Sequence, residues 1–201
     1  DRDNYAISQP ADVTADITAK NLTVSGVTAS NKIYDGNTTA TLTGTAMLQS
    51  AEAGGAGSAG DGKPYSGDAV SVTGTPLGAF NSANVGTAIP VTITGLSLAG
   101  AQAGNYTLTA PGSSANITAK ALTVAGITAD NKVYEGSTAA TLNTPSASLV
   151  GVITSDVDAV ALNTGGATGT FTPNASVASG KTVAISGLTI RTLSSKMFSV
   201  L

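Results

Sequence analysis

Enzymatic chemistry needs side chains that hold protons, electron pairs or metals, and this chain is short of them. It has 12 Asp and Glu, 9 Lys and Arg, and neither His nor Cys in 201 residues. Ser-His-Asp and Cys-His nucleophiles, imidazole and thiolate metal sites and disulfides are therefore excluded. What remains is carboxylate and amine chemistry. Asp156 and Asp158 share one face if their segment is a strand, and paired carboxylates can hydrolyse glycosides. Aromatic residues are only 4%, so no stacking platform accompanies the pair, and a solvated edge is the expectation. Asp61, Asp68, Asp156 and Asp158 lie near loop signals without a DxDxDG pattern, so no metal or other cofactor is expected.

The amines recur more regularly. Lys20, Lys32, Lys120 and Lys132 each lie near Asn and acidic residues. This grouping resembles that of surface sandwiches which join a buried Lys to Asn with a neighbouring carboxylate as proton carrier. Burial is not written in the sequence, so solvated or salt-bridged lysines are expected. Tyr34-Asp35-Gly36 and Tyr134-Glu135-Gly136 form a second recurring constellation. As a binding site it would offer an aromatic ring and an acid. As a scaffold feature it is a buried aromatic anchor beside a turn in which Gly supplies φ > 0. Interchange of Asp and Glu suits the scaffold reading, and both tyrosines are expected to be largely buried. Asn-x-Ser/Thr occurs at Asn21, Asn37, Asn105, Asn116 and Asn174, which a Thr-rich chain produces by frequency.

The elements that must position these residues come in repeats. ADITAKNLTVSGVTASNKIYDGNTTATL (15–42) returns as ANITAKALTVAGITADNKVYEGSTAATL (115–142), without a gap, at an offset of 100. Farther on, PVTITGLSL (90–98) resembles TVAISGLTI (182–190), and the offset has fallen to about 90. The lost residues point to QSAEAGGAGSAGDG (49–62), whose Gly and Ala read as a flexible surface loop that only the first repeat has. Asn4-Tyr5 and Asp16-Ile17-Thr18 resemble Asn105-Tyr106 and Asn116-Ile117-Thr118, as the tail of a preceding repeat would. The organisation expected is terminal strand or strands in 1–18, a first repeat over 19–118, and a shorter second repeat over 119–201.

Each repeat reads as strands. Apolar residues alternate with Thr or Ser in TATLT (39–43), AVSVT (69–73) and VTIT (91–94), and β-branched Thr suits an exposed sheet face. Gly26, Gly95, Gly126 and Gly187 sit where the apolar spacing slips from two to three, the mark of a β-bulge. No 3.6-residue apolar stripe persists. The fold class expected is all-β, as tandem antiparallel, Ig-like β-sandwich modules arranged end to end. Ile117-Thr118-Ala119-Lys120 runs on without a Gly, Pro or Ser linker, which predicts a stiff junction.

Charge and hydropathy narrow the partners. A net charge of −3 argues against nucleic acid and anionic membranes, and no apolar run is long enough for insertion. Charged residues are only 10%, and 30 Thr and 33 Ala supply much of the surface instead.

At Asn-Lys-(Ile/Val)-Tyr-(Asp/Glu)-Gly the chain resembles the YDG-type repeats of large bacterial surface adhesins. The related MBG modules of filamentous-haemagglutinin-like, two-partner-secreted proteins are similar. ITAKxLTVxGxTAxxKxYxG (17–36 and 117–136) and AGNYTL (103–108) carry the resemblance. It departs in the second repeat, where Glu135 replaces the Asp and the NYTL block is missing. The resemblance implies a non-enzymatic, secreted or cell-surface adhesin segment, acting as a rigid stalk or adhesive module in attachment or biofilm formation. Its partners would be neighbouring repeats and a polysaccharide or cell-surface ligand. Two alternatives differ in class: an exopolysaccharide-binding module, with Tyr65, Asn105 or the 49–62 loop as contacts, and an accessory domain of an extracellular enzyme.

Overall fold

Thr and Ser alternating with Val, Ile and Leu favour a pleated backbone, and the computed structural model is all-β. It describes residues 1–55 and 59–193, so the terminal SSKMFSVL, with which the second repeat diverges, lies outside the described residues. Three single-turn 3-10 segments accompany the strands, and no α-helix occurs among the described residues. The chain divides into two units. One comprises Asp1–Lys32, Thr38–Ser82 and Gly86–Asn116, the other Ile33–Asn37, Ala83–Val85 and Ile117–Leu201.

The first repeat supplies β1 (Lys20–Ala29), β2 (Lys32–Ile33), β3 (Thr39–Ala40), β4 (Leu42–Leu48), β5 (Ser71–Phe80), β6 (Gly86–Ala99), β7 (Tyr106–Thr109) and β8 (Ser113–Thr118). They form a three-stranded sheet, β4-β1-β7, and a five-stranded one, β2-β8-β6-β5-β3. Alternation along β1 turns Lys20, Leu22 and Val24 inward. With Val27, Ala40, Phe80, Val91, Ile93, Tyr106, Ala115 and Ile117 they make up the core. Burying a large apolar side chain contributes about 1.5–3 kcal/mol, so a few such residues outweigh any single polar contact.

Gly26 is the bulge. Its φ is +85°, and the register of β1 on β4 shifts between Ser25 and Val27. A Cβ there would lie 2.2 Å from the Thr45 carbonyl oxygen, so no other residue fits without moving the partner strand. The slip is what keeps Val27 inward after Val24.

Three expectations change. The sheets are not wholly antiparallel, because β1 pairs with β7 in parallel, Lys20 to Tyr106 through Thr23 to Thr109. Such a pair needs a long crossover, and the whole span from β2 to β6 supplies it. Residues 1–18 form no strand: apart from one 3-10 turn at Arg2–Asn4 they are irregular, with Tyr5, Ile7 and Ile17 exposed. Their counterparts Tyr106 and Ile117 are buried because β1 and β6 lie beside them. The loop at 49–62 is not a free tether either, because Thr23 N–H donates to Gly62 O and Glu52 N–H to Pro64 O.

The second repeat is cut into shorter strands: β9 (Thr123–Ala125), β10 (Thr128–Ala129), β11 (Ala139–Ala140), β12 (Leu142–Asn143), β13 (Ser148–Val150), β14 (Val160–Asn163), β15 (Thr168–Thr172), β16 (Thr182–Ser186) and β17 (Thr189–Thr192). Pairing runs β10-β12, β13-β9, β14-β17 and β11-β15-β16. Where β5 and β6 run unbroken, β14 with β15 and β16 with β17 are interrupted. Among the described residues nothing corresponds to β7, and β9 has β13 as its one strand partner. Val24 is 2% exposed and Val124 37%.

Candidate functional site

The densest polar cluster surrounds Lys20. Inward alternation at the start of β1 carries this side chain into the core, where it is only 7% exposed. Its Nζ lies 2.6 Å from Glu52 Oε1 and 3.0 Å from Asp61 Oδ1, and it stands 4.1 Å above the centre of the Tyr65 ring. Both acids come from the loop that only the first repeat has. Burial pulls the Lys20 pKa down, but hydrogen bonds to Glu52 and Asp61 outweigh it and hold the ammonium charged. Asp61 is held at about 2, chiefly by the Lys63 N–H, with burial opposing and Lys20 and Glu52 assisting. Beside them the Tyr106 hydroxyl donates to Asp68 and accepts from the Tyr65 N–H, which closes the loop onto β7. An attractive field for an amine or a carboxyl is thus already filled by the chain's own groups.

The motif around Tyr34 and Tyr134 is built on a lysine. Lys32 Nζ caps the turn through Thr39 O at 3.2 Å and stands 5.5 Å from the Phe80 ring centre. Lys132 repeats this with Ala139 O at 2.8 Å and Phe171 at 5.7 Å. Glu135 adds a 2.8 Å bond to Lys132, which, with help from Ser137, lowers the carboxyl's pKa. Gly36 and Gly136 turn the chain at φ +79° and +80°.

A match to the YDG domain model covers residues 18–115 and again 118–196. The chain belongs to the YDG domain family. No curated protein and no solved structure matches it.

The two YDG motifs then part company. Tyr34 is half-buried within the second unit. Its N–H donates to Thr118 O, and its hydroxyl donates to Asp156 Oδ2 at 2.8 Å, a bond that raises the hydroxyl's pKa. Tyr134 is 63% exposed, so the expectation of two equivalent, largely buried tyrosines fails for lack of a cover over the second. Instead Tyr134 borders a groove of about 430 Å³ whose walls include Asn131, Lys132, Phe171, Asn174 and Lys181. Lys181 shapes that wall by donating to Asn174 O and Ser176 O.

Asp156 lies in a 3-10 turn (Thr154–Asp156) rather than on a strand, because it serves Tyr34, and it shares no strand face with Asp158. Tyr65 lies beneath the Lys20 ammonium, while Asn105 is exposed at the turn before β7. Asp35 accepts from the Asn37 N–H and so closes its own turn. Sequence reasoning missed the pairing of Lys20 with Glu52 and Asp61. The signal was there, since the inserted loop is bordered by two acids in a chain with few of them.

Proposed function

We propose that this chain is a non-enzymatic repeat segment of a secreted bacterial surface adhesin, of the filamentous-haemagglutinin-like, two-partner-secreted kind. In this reading its YDG modules are Ig-like two-layer sandwiches that space an adhesive end from the cell in attachment or biofilm formation. One observation carries the reading: two YDG domains follow one another with only two residues between the matched spans. Repeating one unit with so little linker lengthens a chain without adding a new active site. A surface rich in hydroxyls and poor in charge suits a spacer facing water. The buried side chains contributed by both sheets of the first repeat support the sandwich arrangement.

Small-angle scattering of the chain tests the spacer directly. A single elongated form is expected, and a broad ensemble of bent forms would remove the argument. Deleting residues 18–196 from the surface-displayed protein should weaken attachment while display is retained.

A second reading, polysaccharide binding, is favoured by the exposed ring of Tyr134 beside its groove. Titration with a panel of neutral and acidic polysaccharides, read by tyrosine fluorescence because the chain lacks Trp, should show saturation that Tyr134→Ala abolishes. No saturation across the panel leaves the spacer role alone.

A further inference from the structure

The Lys20 cluster is costlier than a structural ion pair requires. An ammonium and two carboxyls are withdrawn from water, and one buried charge pair rarely repays its own desolvation. The two carboxyls also outnumber the single amine, and both lie on its Nζ, at 2.6 and 3.0 Å. A primary amine, a carboxyl within 3.0 Å of it and a second carboxyl able to carry a proton are the reactants and catalyst of amide formation. Held in contact and largely withdrawn from water, such groups react as if at very high concentration.

We propose that Lys20 and Asp61 are joined by an intramolecular amide bond from Nζ to Cγ, formed with Glu52 as proton carrier. The resting state is the ion pair. Lys20 first gives one proton to Glu52, and the freed amine attacks Asp61 Cγ. Oδ1, which accepts from the Lys63 N–H at 3.1 Å, stays as the carbonyl oxygen. Oδ2 leaves as water, taking the proton held on Glu52 and a second one from the nitrogen. One ammonium and one carboxylate thus become one amide and one water, and Glu52 ends as it began. No outside reagent is needed. The Tyr65 ring covers the reacting nitrogen and excludes the water that would reverse the step.

The second repeat is the internal control. Lys120 occupies the same place in the sequence pattern but is exposed and has no inserted loop to supply acids. The bond would staple the first strand of the first repeat to that loop.

The experiment is the intact mass of the purified chain, followed by fragmentation of its proteolytic peptides. The chain should be lighter than its sequence by one water, with the peptide holding Lys20 linked to the one holding Asp61. Lys20→Arg, Asp61→Ala and Glu52→Gln should each restore the full mass, with folding verified by circular dichroism. Asp61 precedes Gly62, and cyclisation of an Asp-Gly pair also loses water. A water loss that persists in Lys20→Arg therefore overturns the proposal. So does the full sequence mass in the unsubstituted chain, a result that needs no variant to fold. A cross-link that maps to Glu52 in place of Asp61 overturns it as well.

Discussion

The two repeats share most of their motifs in the same order and do not receive the same environment. Lys20–Thr23 pair edge to edge with a parallel neighbour, β7, beside a loop that pins Lys20, and Leu22 and Val24 are buried, whereas Lys120 and Val124 are exposed. Tyr34 reaches Asp156, whereas Tyr134 borders an open groove. Other features are indifferent to this. A Cβ on Gly78 would lie 2.8 Å from Leu42 Cδ2, and one on Gly169 would lie 2.7 Å from Leu142 Cδ2. Contacts made within a few strands of the motif are reproduced in each copy. Contacts that depend on a distant segment are reproduced only where that segment exists.

The comparison breaks most easily in the core. Leu22→Ala should cost about 2–5 kcal/mol, the usual range for a fully buried leucine. Leu122→Ala, at a half-buried position, should cost clearly less, and equal losses in chemical denaturation would mean the second repeat is closed after all.

Next come the motif glycines. Forcing a non-glycine residue into the left-handed region costs about 1–2 kcal/mol, which Gly36→Ala and Gly136→Ala should share. At Gly36 the new Cβ would also lie 2.6 Å from Ile153 Cδ1, whereas at Gly136 nothing lies within 4 Å. Gly36→Ala should therefore melt lower than Gly136→Ala.

Acid sharpens the contrast at the lysines. An Asp61 carboxyl held at about 2 against an ordinary 3.8 contributes stability that is full above about pH 4 and is lost as pH falls through 2. In Glu52→Gln, where no amide forms, most of that acid loss should appear, because the Lys63 N–H and Lys20 remain beside Asp61. The unsubstituted chain, with Asp61 consumed in the bond, should lack it. The matched change Lys120→Met should leave acid unfolding unchanged.

The smallest effect is expected at the tyrosine hydroxyls. Tyr34→Phe should lower the melting temperature slightly and Tyr134→Phe not at all. The Tyr34 pKa is raised in the folded chain, so its contribution is complete below pH 10.0 and lost as pH rises through the folded value. Tyr34→Phe should abolish that alkaline loss.

Much of the scaffold was legible beforehand. Alternation of Thr with Val, Ile and Leu specified strands because a pleated backbone sends alternate side chains to opposite faces. The slip at Gly26 specified a bulge, and the offset of 100 specified a second copy of the domain. These are short-range properties, and the chain carries them wherever the segment is placed. The parallel pairing of β1 with β7, the meeting of Lys20 with Glu52 and Asp61 and the turn that gives Asp156 to Tyr34 were not legible as contacts, although the acids and the absent NYTL block stood in the sequence. Each joins residues dozens of positions apart, and which distant segments meet is decided by how whole sheets pack. Sequence thus determined what each stretch of this protein is. Only the tertiary structure decided what it touches, because burial and charge pairing belong to the assembled core.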